Sequence, residues 1–267
     1  MEEIRLLGIV GSGSMGAGIA HVAAQQGFEV IVVDNVKEAL EKGRNNIQYL
    51  VNKEISKGKL SQEAADSMLS RVSFTSQITE LSRVDFVIEA VVEDLEVKQE
   101  VFGQLDKICS PQVILATNTS SLSITSIASV TERPDKVVGM HFFNPPQVMR
   151  LVEIVRGFNT SDETVKVAKE LAEKFGKTTV EVKKDTPGFI VNRIMIPQFI
   201  EAIRLVEEGV ATKEDVDTAV KLGLNYPMGP FELQDFAGVE IGLYVMDVFT
   251  MKQRILGMPL LTRCARS

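Results

Sequence analysis

The stretch that most limits the fold is "GIVGSGSMGAGIA", where Gly11, Gly13 and Gly16 stand in a G-x-G-x-x-G spacing. Alone, that spacing is a weak signal. Here an apolar run, "IRLLGIV", leads into it, as expected of a strand buried on both faces of a parallel sheet. Met15, Ile19, Val22 and Ala23 follow at helical spacing, and "EVIVVD" closes on an acid. Strand, glycine turn, helix, strand and acid in that order describe a dinucleotide-binding unit. Gly11 makes the turn, Gly13 lets a pyrophosphate approach the backbone, and Gly16 lets helix and strand pack closely. Ser14, Met15 and Gly16 open the helix, whose unpaired N–H groups and dipole favour phosphate. Asp34 lies 23 residues beyond Gly11, near the roughly 20 expected of a ribose-binding acid. A carboxylate there accepts from a 2′-hydroxyl and repels a 2′-phosphate, and the following "NVK" offers no arginine. The cofactor expected is therefore NAD rather than NADP.

Alternation continues through "VDFVIEA" (strand), "LEVKQEVFGQLDKIC" (helix), "QVILAT", "KVVGMHF" and "LVEIV" (strands). This predicts an α/β fold with a doubly wound, Rossmann-type, mostly parallel sheet. The interval of about 36–71 is longer than a crossover needs. It reads as an inserted helical pair broken at "SKGKLS", with Gly58 in the turn and Ser61 capping the second helix. Such a pair serves a substrate or partner, or is a solvated hairpin. After Pro187 strand signals stop, and "GFIVNRIMIPQFIEAIRLVEEG", "TKEDVDTAVKLG" and "FAGVEIGLYVMDVFTM" read as helices. The expected domains are 1–185, binding the cofactor, and 186–267, a smaller all-α domain.

The net charge of -7 argues against a nucleic-acid surface, which needs clustered positive charge. No apolar run reaches the roughly 18 residues of a membrane span. Two cysteines, Cys109 and Cys264, lack metal-ligand spacing and point to a reducing compartment, the cytoplasm by default. No metal site is expected.

The chain has only two histidines. His21, on the cofactor helix, reads as a packing residue. His141 closes the "KVVGMHF" strand, and Glu153 lies on "LVEIV" after the turn "NPPQVM". Oxidising an alcohol requires a base for the hydroxyl proton, and histidine titrates near neutrality. A carboxylate on its other ring nitrogen would fix the tautomer. Adjacent strands joined by that turn could bring the two together, although a lone histidine at a strand end is more often structural.

Six collinear stretches, "GSGSMG", "EAVVEDLEVK", "TNTSSLSIT", "HFFNPPQVMRLVE", "DTPGFIVNR" and "YPMGPFELQD", resemble the L-3-hydroxyacyl-CoA dehydrogenase family, especially its 3-hydroxybutyryl-CoA branch. The resemblance implies NAD-dependent, reversible oxidation of a 3-hydroxyacyl-CoA in a cytoplasmic homodimer. It makes His141 the base and Glu153 its orienting partner. Ser120 would bond the substrate's 3-oxygen, Asn192 would approach the same centre from the second domain, and Asn144 would hold the loop. Glu93, Lys98 and Asn118 match positions at the nicotinamide half, although Glu93 and Lys98 could also form a solvated pair. The helical pair matches the segment that meets the CoA tail, where Lys53, Lys57 and Lys59 face its phosphates or only solvent. Competing readings are a sister dehydrogenase of free sugar acids, of the L-gulonate type, and a non-catalytic NAD-binding structural protein.

After about residue 250 the chain departs from the family's glycine-rich ending, running "TMKQRILGMPLLTRCARS". Reading the codons one base earlier from Met251 permits a family-like peptide, so a frameshift near Thr250 is expected. Such a change would alter the end of the helical domain and weaken the dimer. Resequencing the DNA there decides it.

Overall fold

The computed structural model describes residues 4–237, in two compact units that divide between Asp185 and Thr186. In the first unit β1 (Leu6–Val10), α1 (Ser14–Gln25) and β2 (Glu29–Val33) are followed by α2 (Lys37–Ser56), α3 (Gln62–Ser70) and β3 (Val72–Thr75). Then come β4 (Phe86–Glu89), α4 (Leu95–Ile108), β5 (Ile114–Thr117), α5 (Ile124–Ala128) and β6 (Val137–Phe142). The unit closes with β7 (Leu151–Arg156), α6 (Asp162–Lys174) and β8 (Thr178–Val182).

These strands form one sheet in the order β3-β2-β1-β4-β5-β6-β7-β8. All pairings are parallel except β6 with β7, which is antiparallel. The central strands are apolar because both faces are covered: Leu7, Ile9, Phe86, Ile88 and Ala116 have no exposed surface. Chain order reverses between β1 and β4, which is the switch point where open α/β sheets bind ligands, beyond the carboxyl ends of the strands. Register sets the end of each strand there: Val10 lies opposite Val33 and Glu89, and Glu89 opposite Thr117.

The inserted pair is α2 and α3. Gly58 sits between them at φ 67, and the Ser61 side chain accepts from the Ala64 N–H as the cap of α3. In the second unit α7 (Val191–Glu207), α8 (Lys213–Leu224) and α9 (Pro230–Ala237) follow one another. Thr212 caps α8 by accepting from Asp215 N–H, and Asn225 ends it in the left-handed conformation. Asp217, on α8, accepts from Phe231 N–H and Glu232 N–H and so satisfies the start of α9. The helix expected over 236–251 lies, after its first two residues, outside the described residues, as does the altered ending. No described helix is long and apolar enough to cross a membrane.

Candidate active site

At the turn after β1, Gly11 adopts φ +100 and donates to the Val33 carbonyl at 2.8 Å. A Cβ on Gly11 would lie 2.5 Å from the Ala90 carbonyl oxygen, and one on Gly16 would lie 1.9 Å from the Gly11 carbonyl oxygen. Both positions therefore exclude any side chain. Gly13 differs, since a Cβ there would meet nothing within 4 Å, so its side of the turn is open. Among the described residues no side chain caps α1, which leaves its first N–H groups directed at that opening. Asp34 follows β2 and accepts from Ser12 N–H and Ser12 Oγ, both at 2.9 Å, and from Val36 N–H at 3.0 Å. Oδ2 takes both Ser12 donors, and Oδ1, with only Val36 N–H, retains a lone pair for a ribose hydroxyl. An open turn at a helix N-terminus beside a fixed carboxylate fits a dinucleotide. A dinucleotide held by Asp34 and the Gly13 turn would have its nicotinamide half on the β4–β5 side of the switch.

That side carries a chain of charges. Glu89 ends β4 with no exposed surface; its Oε1 accepts from Lys98 Nζ and Val91 N–H, and its Oε2 accepts from Thr117 Oγ1, all at 2.7 Å. Lys98, on α4, is 1% exposed and lies 3.5 Å from Glu93 Oε2. A solvated Glu93–Lys98 pair is thereby ruled out. Glu93 Oε1 accepts from Thr119 Oγ1 at 2.6 Å, Ser120 N–H at 2.8 Å and Ser121 N–H at 3.1 Å. The Ser120 and Ser121 hydroxyls donate to the same oxygen at 3.2 and 3.1 Å. Burial pushes the Glu93 pKa up, but the Lys98 ammonium and these donors outweigh it and hold it below the usual carboxylate range. Sequence reasoning missed Glu89. Its one signal is an acid at the carboxyl end of an otherwise apolar strand.

His141 and Glu153 are register partners on β6 and β7, and Nδ1 lies 2.6 Å from Oε2. Both are buried, His141 at 5% and Glu153 at 0%. With a carboxylate as acceptor, Nδ1 carries the proton and donates. Asn118 fastens this hairpin to β5: its Oδ1 accepts from Phe142 N–H at 2.9 Å, and its own N–H donates to the Glu89 carbonyl at 2.8 Å. The turn between β6 and β7 is held from outside, where Lys177 Nζ donates to the Pro146 and Met149 carbonyls at 2.5 and 2.9 Å. Its other flank abuts α1, since a Cβ on Gly18 would lie 2.9 Å from Pro146 Cδ. Asn144 is exposed in this turn. Asn192 lies on α7, in the second unit. Lys53, Lys57 and Lys59 are exposed at the end of α2 and in the turn after it. Among the described residues no group of acids, histidines and cysteines could hold a metal.

Two family profiles cover most of the chain. One, described as 3-hydroxyacyl-CoA dehydrogenase, NAD binding domain, matches residues 6–186, and its C-terminal counterpart matches 188–263. A probable 3-hydroxybutyryl-CoA dehydrogenase of Bacillus subtilis is 47% identical over 92% of this chain and 85% of its own length. Human mitochondrial hydroxyacyl-coenzyme A dehydrogenase is 45% identical over 90% of this chain and 78% of its own. The crystal structure of (S)-3-hydroxybutyryl-CoA dehydrogenase from Ralstonia eutropha superposes with a TM-score of 0.90 at 42% identity, covering 94% of this chain and 89% of that one.

Proposed function

Because the chain belongs to the 3-hydroxyacyl-CoA dehydrogenase family, we propose that it is an NAD-dependent oxidoreductase of L-3-hydroxyacyl-CoA, 3-hydroxybutyryl-CoA foremost, in which His141 is the general base. The observation that carries this reading is the buried 2.6 Å contact between His141 Nδ1 and Glu153 Oε2. It leaves Nε2 as the nitrogen that takes the 3-hydroxyl proton, while Glu153 stabilises the resulting imidazolium. The bound dinucleotide supplies the hydride acceptor. As hydride leaves C3, the proton passes to Nε2 and the C3–O bond becomes a carbonyl; in reduction the imidazolium returns that proton. Ser120 bonds the same oxygen. Its hydroxyl rests on Glu93 at 3.2 Å, the longest of the five contacts described at Oε1, so it can be exchanged for substrate.

Asn118 and Glu93 line the nicotinamide half, with Lys98 behind Glu93. Asn192 is a further residue of the reaction, and Asn144 shapes the loop. Lys53, Lys57 and Lys59 face the phosphates of CoA. The proposal includes a homodimer and a cytoplasmic setting, the latter in keeping with buried, unpaired Cys109.

The test is His141→Gln, with acetoacetyl-CoA and NADH as substrates. Turnover should fall about 10²- to 10⁴-fold while NADH affinity stays within about threefold. Turnover near wild type would remove His141 from the chemistry. Free hydroxy acids, assayed in parallel, should react far more slowly than the CoA thioester.

A further inference from the structure

Glu89 has no part in the reaction as written, yet it is among the most completely enclosed charged groups of the first unit. It lies at the carboxyl edge of the sheet, between Val10 of β1 and Thr117 of β5. A carboxylate is costly to bury without donors. The contacts that satisfy it are directed: Val91 N–H and Thr117 Oγ1 fix the carboxylate, and Lys98 Nζ then docks on it at 2.7 Å. The same ammonium lies 3.5 Å from Glu93. Glu93 in turn gathers the N–H and O–H groups of Ser120 and Ser121.

We propose that Glu89 is a positioning residue for the reaction, acting through Lys98 and Glu93 to set where Ser120 stands. The proposal rests on the reading of Ser120 given above. The physical reason is competition for one cation. Lys98 is 0.8 Å nearer to Glu89 than to Glu93 (3.5 less 2.7), so Glu89 holds the ammonium back. Glu93 Oε1 is thereby left to the serine turn, and only Oε2 faces Lys98. Remove the Glu89 charge, and Lys98 has a single carboxylate to neutralise it. The ammonium then moves onto Glu93, rotates its carboxylate, and draws Ser120 away from its place. Thr117 and Val91 would keep a neutral amide at position 89 in the fold, so loss of charge need not mean loss of structure. Neither Glu89 nor Lys98 needs to touch substrate for this to operate.

Glu89→Gln should lower kcat for acetoacetyl-CoA reduction by about ten- to a hundredfold, with KM for the thioester within about threefold. A double-mutant cycle with Ser120→Ala separates this from a merely structural role. If Glu89 acts through Ser120, most of the Glu89→Gln loss vanishes in the Ser120→Ala background. Losses that simply multiply, or a Glu89→Gln enzyme with wild-type kcat, overturn the proposal. If Ser120→Ala alone leaves kcat unchanged, the reading of Ser120 fails, and the Glu89 proposal falls with it. Should Glu89→Gln yield too little folded protein, Glu89→Gln with Lys98→Met removes both buried charges together. Its kcat loss must likewise shrink in the Ser120→Ala background, and additive losses there overturn the proposal equally.

Discussion

His21 shows how one side chain can set the acid limit of the fold. It has no exposed surface on α1, and among the described residues neither ring nitrogen has a hydrogen-bond partner. Glu54, reaching from α2, lies 3.5 Å from Nε2 without bonding it. Burial lowers the His21 pKa, outweighing the opposing pull of Glu54. The unfolded chain therefore binds the proton more readily than the folded one. Stability is complete above the unfolded value of about 6.5 and is lost as pH falls below it. The thermal midpoint should drop between pH 8 and pH 5.5, and His21→Leu should flatten that drop; an unchanged slope would assign the acid sensitivity elsewhere. The packing role of His21 was legible because it falls on the apolar face of an evident helix. The His141–Glu153 pairing was only half legible: the turn between two strands allowed it, and the family resemblance, not the spacing, selected it. Glu89 was not legible, since Lys98 is nine residues away and Thr117 is 28 away, and only the fold brings the three together.

Elements were legible where burial or capping writes a local pattern. Buried strands gave apolar runs, and Ser61 and Gly58 marked the break in the inserted pair. β8 left no such trace. It borders the sheet with only Val182 fully buried, so "TTVEV" mixes polar and apolar residues without a run. α6 also went unnamed, although Ser161 caps it and Val165, Ala168, Leu171 and Ala172 stand at helical spacing on its buried face. The turn from β6 to β7 depends on both. Lys177 follows α6, clamps the Pro146 and Met149 carbonyls, and precedes Thr178, whose N–H donates to the Arg150 carbonyl at 2.8 Å. Burial lowers the Lys177 pKa, a sign that the ammonium stands partly out of water. Lys177→Met keeps the aliphatic stem and removes both donors. Urea unfolding should show a loss of roughly 1–2 kcal/mol. Turnover should fall too, because the turn carries His141 on one side and Glu153 on the other, and Lys177→Arg should restore most of both. A stability loss with full turnover would separate the turn from the base.

At the scale of the whole molecule the two units carry different parts of the proposed chemistry. The core cluster running from Leu7 to Phe175 lies wholly in the first unit, as do the glycine turn, Asp34, the Glu89–Lys98–Glu93 chain, Ser120 and the His141–Glu153 pair. A body of 185 residues is large enough to bury a self-sufficient core. We therefore propose the units as domains, and expect residues 1–185, expressed alone, to fold cooperatively. The fragment should bind NADH within about threefold of the whole chain, and NADH at about 100 times Kd should add about 2.7 kcal/mol to its stability. Reduction of acetoacetyl-CoA should nevertheless be nearly absent, because Asn192 and the helical unit are gone. The two readouts separate the assignments. A fragment that unfolds rejects the domain division, whereas one that binds NADH and turns over at the rate of the whole chain removes Asn192 from the site. Binding without turnover assigns the cofactor site to the first unit and makes the second unit necessary for the reaction.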